Sequence, residues 1–111
     1  MNSEEVDSVF YDETQIKVME AGIAEIAKYI DGSKTKEIRS LLLCLDKYLD
    51  PYYGYELPYE KEIYDILESL LKTSKDLNVK EDALNFLQMY SDRDYENCEI
   101  AESGELKRFE N

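Results

Sequence analysis

The stretch Ile38-Arg-Ser-Leu-Leu-Leu-Cys-Leu-Asp-Lys-Tyr-Leu49 decides the fold. Its apolar residues recur every three or four positions, which places their side chains on one face of an α-helix; they are Ile38, Leu41, Leu42, Leu45 and Leu49 (or Tyr48). Leu43 and Cys44 widen this apolar face, so we expect the helix, over roughly residues 34–49, to pack on more than one side. Pro51 ends it, because proline does not continue a helix.

A helix with the same periodicity precedes this stretch, over about residues 14–31. Asp12 or Thr14 can cap its first turn. Gly22 lies near its middle and either weakens the helix or admits a close neighbour. Asp31-Gly32-Ser33 ends the helix, because glycine suits a helix end and Ser33 suits the cap of the next helix.

Two more helices follow the loop from Asp50 to Pro58, which has a proline near each end and a glycine inside it. The periodicity predicts these helices over about residues 59–73 and 79–90. Asn78, with Glu81 three residues later, resembles a capping box at the start of the second one.

We therefore predict an all-α fold in a single domain, residues 1–111, with four main antiparallel helices arranged as two helical hairpins. A shift of about 40 residues aligns apolar positions of the first two helices with those of the last two, as in HEAT-like repeats, and an irregular bundle is the alternative. We expect residues 1–11 to be frayed, residues 12–91 to form the helical core and residues 92–111 to form an acidic C-terminal segment. The pattern of that segment leaves open a short helix, a small hairpin or a loose tail.

The charge balance excludes several classes of function. The chain carries 13 Lys and Arg against 26 Asp and Glu, which gives a net charge of -13. This charge opposes binding to nucleic acid or to an anionic membrane surface. Histidine, the commonest general base and metal ligand, does not occur. We recognise no secretory signal and no membrane-spanning stretch, and so expect a cytoplasmic protein.

Metal and catalytic sites are not predicted. Asp92, Asp94 and Glu96 alternate like the start of an EF-hand calcium loop, but its sixth and twelfth positions hold Asn97 and Ser103 instead of Gly and Glu. Paired carboxylates fall on polar helix faces, where nothing separates their pKa values as catalysis requires. Phosphate-binding glycine loops, Ser-His-Asp sets and Cys-x-x-Cys motifs are absent, so we predict neither enzyme activity nor a cofactor.

Tyrosine is concentrated around the loop that follows the second predicted helix, where five of the ten tyrosines lie between Tyr48 and Tyr59. A tyrosine ring combines apolar area with a polar tip, which favours contact surfaces, and flanking carboxylates steer a basic protein towards the rings. The predicted partner-binding residues are Asp46, Asp50, Tyr52, Tyr53, Tyr55, Glu56, Tyr59, Glu60 and Glu62. The alternative is that these rings cover the end of the helix pack.

Three stretches carry a resemblance to a family type: Arg39-Ser-Leu-Leu-Leu-Cys-Leu45, the loop from Asp50 to Pro58, and Val79-Lys-Glu-Asp-Ala-Leu-Asn-Phe-Leu87. Over residues 12–91 the chain resembles the small, acidic, helical immunity proteins with HEAT-like hairpins that neutralise bacterial toxins delivered between cells. The resemblance implies an inhibitor that binds a cognate basic toxin domain, such as a nuclease, with acidic side chains standing in for phosphate. It assigns no site residue by position.

Two other functions stay open. A helical adaptor or scaffold would hold a basic peptide or protein, as a monomer or as a homodimer. A small enzyme that uses only carboxylates would need a buried Asp or Glu with a raised pKa in a cleft.

Overall fold

The computed structural model describes residues 10–50, 52 and 57–109. Within these ranges the chain is mostly helical, with five α-helices and a short two-stranded sheet, which agrees with the predicted all-α class. The elements are α1 (Glu13–Ala21), α2 (Ile23–Gly32), α3 (Thr35–Leu49), α4 (Glu60–Thr73), α5 (Leu77–Tyr90), β1 (Cys98–Ile100) and β2 (Leu106–Arg108). Most of the segment predicted to be frayed, residues 1–9, lies outside the described ranges.

The predicted first helix is two helices, because Gly22 separates α1 from α2. Its backbone has φ +107° and ψ -177°, a conformation that is almost restricted to glycine. A Cβ atom added at this position would meet nothing within 4 Å. Gly22 is therefore required for its backbone conformation, and the predicted close neighbour is wrong.

The start of α1 follows the first of the two predicted caps. The Asp12 carboxylate accepts a hydrogen bond from the Thr14 backbone N–H at 2.8 Å. Gln15 reciprocates, because its side-chain oxygen accepts from the Asp12 backbone N–H at 2.8 Å. This reciprocal pair forms a capping box that satisfies backbone donors otherwise unpaired in the first turn of a helix.

Two other predicted caps are wrong by one or two residues. Asp76 caps α5, because its carboxylate accepts from the Val79 N–H at 3.1 Å, which makes Asn78 the second residue of the helix. The residue before α3 is Lys34 and not Ser33, which instead closes α2. Helix ends depend on which of several neighbouring polar side chains reaches a free N–H, and periodicity does not distinguish between such neighbours.

The core forms around α3, which contacts α1, α2 and α5. The prediction that this helix packs on more than one side is therefore confirmed. Its buried apolar residues are Leu41, Leu42, Cys44, Leu45 and Leu49. Leu43 does not belong to this set, since 41 % of its surface is exposed. The helix α4 contacts α5 and α2, so apolar side chains from all five helices meet in one cluster.

The C-terminal segment forms a small hairpin, one of the three possibilities that the sequence left open. Antiparallel β1 and β2 pair Cys98 with Arg108 and Ile100 with Leu106, and every residue of β2 is exposed. The hairpin lies against α5 through β1. Gln88 of α5 fixes it there, because its Nε2 donates to the Tyr95 carbonyl at 2.9 Å and to the Cys98 carbonyl at 3.0 Å.

Arg93 fastens the chain between α5 and β1 to the surface of α4. Its Nη1 donates to Asp65 at 2.9 Å and to Glu68 at 2.5 Å. Its guanidinium carbon also lies 5.7 Å from the centre of the Tyr64 ring, within the range of a cation–π contact. The Tyr95 hydroxyl adds a hydrogen bond to Glu68 at 2.5 Å. Arg93 and Tyr95 thus hold this segment against α4 through the carboxylates of Asp65 and Glu68.

Candidate functional site

The predicted partner-binding residues lie around the end of α3 and the start of α4. Tyr53, Tyr55 and Glu56 fall outside the described residues. Tyr52 is 86 % exposed. Its backbone N–H donates to the Asp50 carboxylate at 2.9 Å. Of the predicted tyrosines that the structure describes, Tyr52 therefore offers its ring to solvent.

Tyr59 has a different environment, because its half-buried ring packs against the core. Its hydroxyl donates to the backbone carbonyl of Met19, which ties the start of α4 to α1. Burial raises the pKa of Tyr59, and the neighbouring Cys44 raises it further. At this position the observed contacts match the alternative in which a ring covers the end of the helix pack.

Two predicted carboxylates accept hydrogen bonds from tyrosines of the same chain. Asp46 accepts from the Tyr90 hydroxyl at 2.5 Å, which links α3 to α5. Glu60 accepts from the Tyr64 hydroxyl at 2.8 Å, one turn later in α4. Burial and the bond to Glu60 raise the pKa of Tyr64. Glu62 is exposed on α4. Some of the predicted residues are therefore exposed to solvent, and others make hydrogen bonds with residues of the same chain.

A groove between α3 and α5 lies outside the predicted set apart from Asp46. Leu43 of α3 and Met89 of α5 line it, and they are 41 % and 56 % exposed. Phe86 of α5 also lines the groove and is buried. Arg39 and Asp82 also line it, joined by an ion pair at 2.8 Å. The groove has a volume of about 270 Å³, slightly below the range of roughly 300–1,000 Å³ that is typical of small-molecule pockets.

A second groove, of about 400 Å³, lies on the other side of α5, against β1. Three carboxylates line it, from Glu81, Asp82 and Glu99, and no Lys or Arg of the described chain does. Leu84 and Ile100 add apolar surface. The two grooves therefore differ in character, since the first is largely apolar and the second is largely acidic.

Candidate metal-binding clusters and buried carboxylates are both lacking among the residues that the structure describes. In residues 10–50, 52 and 57–109, no three His, Cys, Asp or Glu side chains are placed to hold a metal ion. The buried polar residues of the same ranges are Gln15 and Ser40, so no described carboxylate is buried. Exposed carboxylates, amides and apolar side chains suit non-covalent contact with another molecule.

The two cysteines are free thiols in buried positions. Burial in the core raises the pKa of Cys44 to about 11, although Lys47 acts in the opposite direction. A thiol with such a pKa is protonated near neutral pH and is a poor nucleophile.

The sequence contained part of the evidence for the apolar groove between α3 and α5. Leu43 lies outside the periodic set of α3, and Met89 lies outside that of α5. Two apolar residues left over from the inward faces of neighbouring helices can mark an exposed apolar surface. Leu43 and Met89 share a groove because α3 packs against α5. Apolar periodicity does not predict which helices pack together.

Comparison with protein-family models, curated protein sequences and solved structures finds no significant match to this chain. None of the helices in the described ranges is long and apolar enough to cross a lipid bilayer.

Proposed function

We propose that this protein is an acidic inhibitor that binds and neutralises a basic partner, as bacterial immunity proteins do with their cognate toxins. The observation that carries the proposal is the exposed ring of Tyr52, at 86 %, whose backbone N–H donates to the Asp50 carboxylate. A tyrosine ring offers a large contact area at a small loss of side-chain conformational entropy. The net charge of -13 would accelerate the approach of a basic protein.

In this proposal the helices form a HEAT-like frame of two hairpins, which acts in the cytoplasm. Packing of α4 against α5, and of α1 and α2 against α3, supports such a grouping. The frame would hold the contact surface in place before the partner arrives, which reduces the entropy lost on binding. The partner would be a basic toxin domain, such as a nuclease, and the protein would need no cofactor.

The direct experiment is affinity capture from the native host, identification of the captured protein, and titration with that protein in purified form. We expect a basic protein whose activity falls as the complex forms. Raising the salt from about 0.01 M to about 1 M shortens the screening length from about 30 Å to about 3 Å, so affinity should fall as salt rises. Equal affinity at both salt concentrations, measured by calorimetry, would contradict the electrostatic part of the proposal.

Replacement of Tyr52 tests the contact surface. Tyr52→Ala, alone and combined with Tyr53→Ala and Tyr55→Ala, should weaken the purified complex by at least about tenfold, because a central aromatic contact is often worth about 2 kcal/mol or more. Circular dichroism should show that the helices persist. Phe10→Ala is the matched control, since Phe10 is another exposed aromatic side chain. If the control weakened the complex and the Tyr52 variants did not, the loop would be removed from the contact surface.

A further inference from the structure

We infer that α5 carries a second docking surface, on which its two flanking grooves receive one apolar and one basic side chain from an amphipathic helix of the partner. This inference rests on the proposed function, because it describes how a basic partner would be recognised. It adds a surface built by α3, α5 and β1 to the loop that contains Tyr52. We call it the α5 surface and define it by Leu43, Asn85, Met89, Glu81 and Glu99.

The apolar half of the α5 surface is the groove between α3 and α5. Leu43 and Met89 line it from neighbouring helices, together with the buried side chain of Phe86. Two exposed large apolar side chains on one groove leave apolar area in water, and contact with a partner would remove it. The flexible, polarisable Met89 side chain can adapt to the shape of an inserted residue.

The acidic half is the groove between α5 and β1. Glu81 and Glu99 are exposed there, and neither side chain makes a hydrogen bond or an ion pair with the side chains of the described residues. Asp82 is paired with Arg39, and Arg39 lines the apolar groove. The residues that line the acidic groove include no Lys or Arg. Leu84 and Ile100 supply apolar surface for the aliphatic part of a Lys or Arg side chain, whose charged end would reach the carboxylates.

The two halves form one surface, because Asp82 and Asn85 of α5 line both grooves. The grooves therefore adjoin along α5, and we take the diameter of one helix, about 10 Å, as the spacing between side chains seated in them. Residues seven positions apart on a partner helix project from the same face and lie about 10 Å apart along its axis. In a β-strand, a similar separation needs three residues, and those side chains project from opposite faces. The spacing thus favours a helix with an apolar and a basic residue seven positions apart.

The acidic groove is fixed before any partner binds. Gln88 holds β1 against α5 through its two hydrogen bonds to backbone carbonyls. Lys80 holds the hairpin turn, because its Nζ donates to the Gly104 carbonyl at 2.7 Å. A partner would therefore meet a formed surface and would not have to order the hairpin.

The experiment titrates a synthetic amphipathic helical peptide, with Leu and Arg seven positions apart, into the isotope-labelled full chain and follows the amide resonances. We expect saturable shifts at Leu43, Asn85, Met89 and Glu99. A peptide with Glu in place of Arg should lose binding, and one with Ser in place of Leu should bind at least about tenfold more weakly. In the protein, Met89→Gln and Glu99→Gln should each weaken binding, whereas Glu25→Gln, which changes an exposed carboxylate on α2, should leave it unchanged.

Three results would overturn the inference: no shift at about 1 mM peptide, shifts confined to residues outside the α5 surface, or equal binding of the Arg and Glu peptides. Affinity measurements with the natural partner distinguish failure of this inference from failure of the proposed function. A captured basic protein that binds Met89→Gln and Glu99→Gln with unchanged affinity, but loses affinity for Tyr52→Ala, would remove the α5 surface and keep the inhibitor function. Capture of a neutral or acidic partner would instead remove the proposed function.

Discussion

Gly22 joins α1 to α2 with a backbone conformation, φ +107° and ψ -177°, that a residue with a Cβ atom adopts only under strain. The space around it is open, so the strain would come from the backbone alone. Gly32 provides a useful comparison, because it is the last residue of α2 and also lies in open space. Gly22 is therefore required by its backbone conformation, whereas Gly32 has neither a positive φ nor a close neighbour that requires glycine.

The expected outcome for Gly22→Ala is a loss of about 1–3 kcal/mol in the free energy of unfolding, since the strained backbone is retained only at a cost. Gly32→Ala should be neutral or should stabilise the chain by up to about 1 kcal/mol, because alanine restricts the unfolded state. Urea unfolding followed by circular dichroism measures both. A similar loss in the two variants would show that the conformation of Gly22 is not what matters.

At the scale of elements, side-chain contacts hold the C-terminal segment against the helices. Arg93 and Tyr95 converge on Glu68 of α4, and Gln88 of α5 holds β1. The sequence predicted the helices well because apolar periodicity is a local signal. It left the segment open because the contacts of this segment with α4 join residues 25 or more positions apart, as with Glu68 and Arg93. Tyr59 illustrates the same limit, since its bond to Met19 spans 40 positions.

Removal of the Arg93 side chain should release this segment. Arg93→Ala should reduce the free energy of unfolding by about 1–2 kcal/mol, because hydrogen bonds to charged groups are stronger than neutral ones. Hydrogen exchange of the β1 amides should accelerate. Arg108→Ala is the control, since its ion pair with Asp94, at 3.1 Å, is exposed and such pairs contribute about 0–1 kcal/mol. Unchanged exchange in Arg93→Ala would mean that the hairpin is held by α5 alone.

At the scale of the whole molecule, the described core holds several weak acids in their neutral form. Burial is the largest cause at each, and it raises the pKa of Cys44 to about 11 and that of Tyr95 to about 12. The pKa values of Tyr59 and Tyr64 are raised as well. Glu68 reinforces the effect at Tyr95 by accepting its hydrogen bond. The folded chain thus retains these protons more strongly than the unfolded chain does.

Stability should therefore decrease in alkali. The contribution of these groups is complete below their unfolded pKa values, 9.0 for Cys44 and 10.0 for Tyr95, and it is lost as the pH rises through the folded values near 11 and 12. The urea midpoint should fall across this range, together with the appearance of tyrosinate absorbance. Tyr95→Phe should show a smaller fall, because it removes one of the titrating groups. A midpoint independent of pH between 9 and 12 would contradict this assignment.

The hairpin has one further consequence, which concerns the outer side of β2. In the described chain this strand pairs with β1 alone, and all three of its residues are exposed. An unpaired strand invites edge-to-edge association between copies, yet β2 is only three residues long and contains Lys107 and Arg108. Two copies aligned along β2 would bring like charges together. The shortness and the cations of this strand therefore protect the molecule against fibrous self-assembly.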